Sequence, residues 1–109
     1  MNDTDRVLLI WAAKAARIES SIGLLPKDGV SIIQSNGKKW NPLTDNGQAF
    51  ELAVMCGISV LQFPTCIGTR WPQSGINPPY EEISSGQDHL AATRRAIVRA
   101  AAEIGRNMK

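Results

Sequence analysis

The chain has 109 residues, with 12 basic and 10 acidic side chains for a net charge of +2, and 43% of it is apolar. That length has room for one hydrophobic core and excludes two independent domains, while the apolar share excludes a disordered chain. Charge so nearly balanced excludes a uniformly polyanion-binding molecule, so any basic surface is local.

The N-terminus, Met1-Asn2-Asp3-Thr4-Asp5, is acidic where a signal peptide is basic, and the apolar run from Val7 to Ala13 is too short to span a bilayer. The expectation is a cytoplasmic protein with no membrane partner. Asp3, Thr4 and Asp5 can cap a helix and suit the positive end of its dipole. Leu8, Trp11, Ala15, Ile18 and Ile22 then recur at steps of three and four, predicting a first helix that Gly23 ends and Pro26 keeps from resuming.

Val30-Ser31-Ile32-Ile33-Gln34 is short and β-branched, and Asn36-Gly37 after it suits a type I′ hairpin turn. The return strand, Lys38 to Trp40, is cut short by Pro42, which cannot donate to a ladder. Thr44 or Asp45 can cap a second helix, with Gln48 placed as in a capping box. Phe50, Ala53, Val54 and Gly57 lie along one side of that helix, beside Leu52 and Cys56.

Ile58 to Phe63 reads as a strand apolar on both faces and stopped by Pro64. Thr65 to Pro79 reads as a loop with at most one irregular strand, because it holds three prolines and two glycines. Tyr80 to Ile83 reads as an edge strand whose Glu81 and Glu82 discourage edge-to-edge pairing. Ser85 to Asp88 offers caps for the last helix, with a predicted stripe of Leu90, Ile97, Ala101, Ile104 and Met108.

These elements give an α+β fold in the order α-β-β-α-β-(β)-α. A small, mostly antiparallel sheet lies between helices in three layers, as one domain over residues 1–109. The expected core contains Leu8, Trp11, Ile18, Ile32, Phe50, Val60, Ile97, Ala101 and Ile104.

Few residues carry a chemical signal. Cys56, Cys66 and the single His89 match no zinc template and read as packing thiols and a surface imidazole, so no metal or cofactor is expected. Asp88, His89, Ser84 and Ser85 lack the geometry of a nucleophile triad, since neighbours on a helix point about 100° apart. Glu81 and Glu82 face opposite sides of a strand and cannot share a site. The expectation is that the protein is not an enzyme.

Two features suggest binding. Arg95, Arg99 and Arg106 share one face of the last helix, with Arg94 just beside it, and could meet phosphates or an acidic partner, although no aromatic residue interleaves for base stacking. Trp40, in Trp40-Asn41-Pro42-Leu43-Thr44-Asp45, is a candidate interaction anchor, although an indole so placed more often covers the core edge, and Trp71 is the more exposed candidate anchor for a protein partner.

The segment from Trp40 to Gly47, followed by a helix, together with Ala91-Ala92-Thr93-Arg94-Arg95-Ala96-Ile97-Val98-Arg99-Ala100-Ala101-Ala102-Glu103-Ile104-Gly105, resembles small bacteriophage and prophage proteins of the NinX-like, phage α-β-α sandwich type. The resemblance covers roughly residues 5–107, departs from the group in the proline-bearing stretch Gln62 to Pro79, and carries no catalytic motif. It implies an accessory role in the cytoplasm of a bacterial host, through a protein partner from host or phage. The alternative is nucleic-acid binding by the arginine face.

Overall fold

In the computed structural model the described residues are 3–16, 20–25, 29–34, 39–72, 80–82 and 88–108. Along the chain run α1 (Asp3–Ala15), β1 (Ser20–Leu25), β2 (Gly29–Gln34), β3 (Lys39–Trp40), α2 (Asn46–Cys56), β4 (Ser59–Gln62), β5 (Cys66–Arg70), β6 (Tyr80–Glu82) and α3 (His89–Arg106). The fold is α+β, and its strands pair antiparallel throughout. Among the described residues they form two three-stranded sheets, β1-β2-β3 and β4-β5-β6, where the sequence suggested a single one. An α-β-β-β unit thus occurs twice before α3.

The first helix is shorter than its periodicity predicts. It ends at Ala15, and Ile22 and Gly23 lie instead in β1, opposite Ile32 and Ser31 of β2. Ser20-Ser21-Ile22-Gly23-Leu24-Leu25 keeps a helical spacing of apolar residues but contains weak helix formers. A six-residue ladder with the β-branched β2 overrides that spacing. Residue Ile18 lies outside the described residues.

The hairpin from β2 to β3 forms, with a different register. A two-residue turn at Asn36-Gly37 would set Ile33 opposite Trp40; the observed pairs are Ile33 with Lys39 and Ile32 with Trp40. The register is thus shifted by one residue from that of a two-residue turn, and residues 35–38, Asn36 and Gly37 among them, lie outside the described residues.

The second sheet departs most from expectation. Thr65–Pro79, read as a loop with at most one irregular strand, supplies one strand, β5, which is regular and central in its sheet. β4, read as buried on both faces, is an edge strand with Ser59, Leu61 and Gln62 exposed. Three residues, Phe63, Pro64 and Thr65, connect them, and the Phe63 N–H donates to the Cys66 carbonyl at 2.9 Å, leaving Pro64 and Thr65 at the turn. Proline punctuates this hairpin and does not abolish it, because it sits in the turn, where its fixed φ is an asset. β6 (Tyr80–Glu82) occupies the other edge, as predicted for the strand Tyr80 to Ile83, of which Ile83 lies outside the described residues.

α3 is the centre of the molecule. α1, α2, β5 and β6 all pack on it, with α1 making the most extensive contact. Ala92, Ala96, Ile97, Val98, Ala100, Ala101, Ala102 and Gly105 are buried, which is most of the circumference of the helix. Its small residues let several neighbours approach at once. Leu90, expected in the buried stripe, is 60% exposed, whereas Ile97 and Ala101 are buried as predicted.

α1 meets α3 along Leu9, Ala12, Ala13 and Ala16, all buried at steps of three and four. The predicted stripe of Leu8, Trp11 and Ala15 lies at the margin and is half-buried. The face richest in bulk lost to the face of smallest side chains, because close contact between helix backbones requires the latter. Lys14 stacks its Nζ 5.3 Å from the Trp11 ring centroid and donates to the Met108 carbonyl at 3.2 Å, tying α1 to the end of α3.

Candidate functional site

The loop ahead of α2 is held by a local network of hydrogen bonds. Asn41 accepts the Leu43 N–H on its side-chain oxygen at 3.1 Å, and its backbone carbonyl accepts the N–H groups of Thr44 and Asp45, each at 3.1 Å. Asp45 is the N-cap of α2, its carboxylate accepting the Gln48 N–H at 2.9 Å. The capping box is only half made. The Gln48 side-chain oxygen accepts from the Asn41 N–H at 2.6 Å, since the Asp45 N–H is already taken. Asp45→Ala should cost about 1 kcal/mol in thermal or urea unfolding, within the usual span for a lost cap.

Trp40 and Trp71 belong to this framework and not to a binding surface. Trp40 is 4% and Trp71 9% exposed, and both pack in the main core with Leu9, Leu52, Ile97 and Val98. For Trp40 this fits a cover for the core edge and corrects its candidacy as an interaction anchor, since a buried indole offers a partner no surface. For Trp71 it corrects the expectation of an exposed anchor: the residue follows directly on β5, so its indole is carried into the core by the strand that the proline-rich composition concealed.

The arginines divide by function. Arg94 donates from Nε to the Leu43 carbonyl at 2.8 Å and from Nη1 to the Asn46 side-chain oxygen at 2.6 Å, clamping the Trp40–Asn46 loop onto α3. Arg94→Ala should cost about 1.5–3 kcal/mol in denaturant unfolding, and Arg94→Lys should recover only part of it, because a lysine cannot reproduce the planar fork. As the neighbour of Arg95 it points about 100° away from the row, which turns it toward the α2 loop.

Arg95, Arg99 and Arg106 do share the outward stripe of α3, within roughly 40° of one another around the axis. Arg99 and Arg106 are exposed and Arg95 is half-buried. Glu103 lies in the same stripe and pairs with Arg106 at 3.7 Å. The row is therefore of mixed sign, a solvated helix back as much as an anion-binding surface.

Among the described polar residues near the start of α3, two take structural roles. Asp88 caps α3, accepting the Leu90 N–H at 2.9 Å. Thr93 donates to the His89 carbonyl and accepts from the Gln62 amide, linking α3 to β4. Cys56 is half-buried, and desolvation raises its thiol pKa, which holds it protonated and a poor nucleophile at neutral pH. Among the described residues no group of three His, Cys, Asp or Glu comes together as a metal-ligand set. Nor is any described helix long and apolar enough to cross a membrane.

What the sequence reading missed is an apolar surface. Phe50 and Val54, one turn apart on α2, are 69% and 65% exposed, with Met55 beside them. Phe50 was expected in the core; the buried face of α2 is instead Ala49, Leu52 and Ala53. No family model, curated protein or solved structure matches this chain. The phage resemblance therefore stands on its motif residues alone.

Proposed function

We propose that this chain is a non-enzymatic accessory protein that works by binding another protein, in the phage-infected bacterial cytoplasm that the resemblance implies. The observation that carries the reading is the outer face of α2. Phe50, Val54 and Met55 present large apolar side chains to water from a helix whose one charge is Glu51. A monomeric protein gains nothing in stability from such a row, and an amphipathic helix laid into an apolar groove is a recurrent mode of protein recognition.

The competing reading, nucleic-acid binding by Arg95, Arg99 and Arg106, has the outward placement of the row in its favour. Against it stand Glu103 within the row and the absence of aromatic residues from α3. The test is capture of a specific protein from nuclease-treated lysate of the bacterial host, compared across variants. Retention should be lost in Phe50→Ser/Val54→Ser and kept in Arg95→Glu/Arg99→Glu. Steeply salt-dependent retention on an oligonucleotide at about 0.15 M salt, abolished by the arginine reversals, would establish the rival instead.

A further inference from the structure

We propose that the chain pairs with a second copy of itself by joining the open edges of two β4 strands, antiparallel about Leu61, into a continuous six-stranded sheet. The inference concerns a different surface from the outer face of α2 and does not depend on the partner proposed for that face.

The two edges of the second sheet differ in chemistry. At one, β6 reads Tyr80-Glu81-Glu82, the sort of charged edge that resists pairing with another chain. At the other, β4 reads Ser59-Val60-Leu61-Gln62 and lies within a run free of charge from Leu52 to Thr69. Like charges are therefore not opposed when this edge meets its own copy. Leu61 and Phe63 on it are 40% and 48% exposed.

The hydrogen-bond pattern fixes which groups are on offer. The Phe63 N–H bonds to Cys66, and bonded pairs alternate along an antiparallel ladder, so Phe63, Leu61 and Ser59 turn their backbone groups toward β5. Val60 and Gln62 turn theirs outward. A strand paired with its own copy could centre on Val60, Leu61 or Gln62. Centring on Val60 would set Gln62 against Ile58, whose N–H is already given to the Ala53 carbonyl at 2.9 Å. Centring on Gln62 would set Val60 against Pro64, which has no N–H.

Only the register centred on Leu61 leaves no outward group without a partner: Val60 of each copy bonds to Gln62 of the other. It also places the two Leu61 side chains directly across from each other. Leu61 and Phe63 stand over Gly68, where a Cβ built on the glycine would lie 3.6 Å from each, and the bare backbone there seats both side chains. The outcome is a contiguous apolar ridge of Leu61 and Phe63 from both copies on the face of the joined sheet opposite α3, each Leu61 shielding the flank of the other.

Analytical ultracentrifugation of the full chain should show a concentration-dependent dimer. Leu61→Lys should weaken it at least tenfold while leaving the circular dichroism unchanged. Leu61→Cys should form an interchain disulfide under mild oxidant beyond any formed by Cys56 and Cys66 in the parent, because directly opposed non-bonded residues lie about 4.5 Å apart at Cα, inside the disulfide window. In the parent, the amides of Val60 and Gln62 should gain protection from hydrogen exchange as concentration rises, a readout independent of whether Leu61→Lys folds. A monomer at about 0.1 mM would overturn the proposal. So would a dimer in which those two amides exchange freely, since contact would then run through another surface, such as β1 or the outer face of α2.

Discussion

Replacing Gly105 by alanine should destabilise the protein by on the order of 3 kcal/mol, at the upper end of the cost of overpacking. The expected sign is the informative part. Within a helix, glycine to alanine ordinarily stabilises by up to about 1 kcal/mol, because alanine loses less backbone freedom on folding. Here α3 crosses α1 so closely that a Cβ on Gly105 would collide with the Trp11 carbonyl group, lying 2.8 Å from its carbon and closer still to its oxygen. Those are backbone atoms and cannot rotate aside. The contact lies in a seam of small buried residues, with Ala12 and Ala13 of α1 and Ala16 just after it on one side and Ala101 and Ala102 of α3 on the other. Urea unfolding of Gly105→Ala against the parent measures the effect. Equal or greater stability would mean that the helices do not approach here. Gly57→Ala makes a useful contrast: φ there is +68° and nothing stands within 4 Å, so its cost is that of the left-handed backbone alone, about 1 kcal/mol.

This seam explains why the fold class was readable from the sequence while its packing was not. Strand and helix identity follow local signals, and these held at Val30–Gln34, at the Asp45 and Asp88 caps and along the length of α3. Helix phase was chosen by placing the bulkiest residues inward, as at Leu8, Trp11, Phe50 and Leu90. In this protein the inward faces carry alanine, and α3 is buried around most of its circumference. A hydrophobic stripe says which residues avoid water. It does not say which face a neighbouring helix can approach most closely. Among the candidate site residues, the shared face of Arg95, Arg99 and Arg106 was legible because spacing alone sets it. The burial of Trp71 was not, since it depends on β5 forming from Cys66-Ile67-Gly68-Thr69-Arg70 between turn-forming neighbours. The exposed α2 face was hidden by the same inward-bulk assumption.

On α2 that assumption can be tested with two substitutions that a composition-based reading would rank equally. Leu52 is 1% exposed in the main core, and Leu52→Ala should cost about 2–5 kcal/mol through lost burial and a cavity that the neighbouring alanines of α3 cannot fill. Phe50 is larger but 69% exposed, and Phe50→Ala should shift stability by no more than about 0.5 kcal/mol, as for a surface site. The order reverses what side-chain size alone gives. Chemical denaturation of both variants decides it, and a Phe50→Ala variant as damaged as Leu52→Ala would place the ring in the core and remove the surface proposed for partner binding. The expected result gives Phe50 a separable role: a side chain whose removal leaves folding intact and takes away binding, which is the pattern of a recognition residue rather than a packing one.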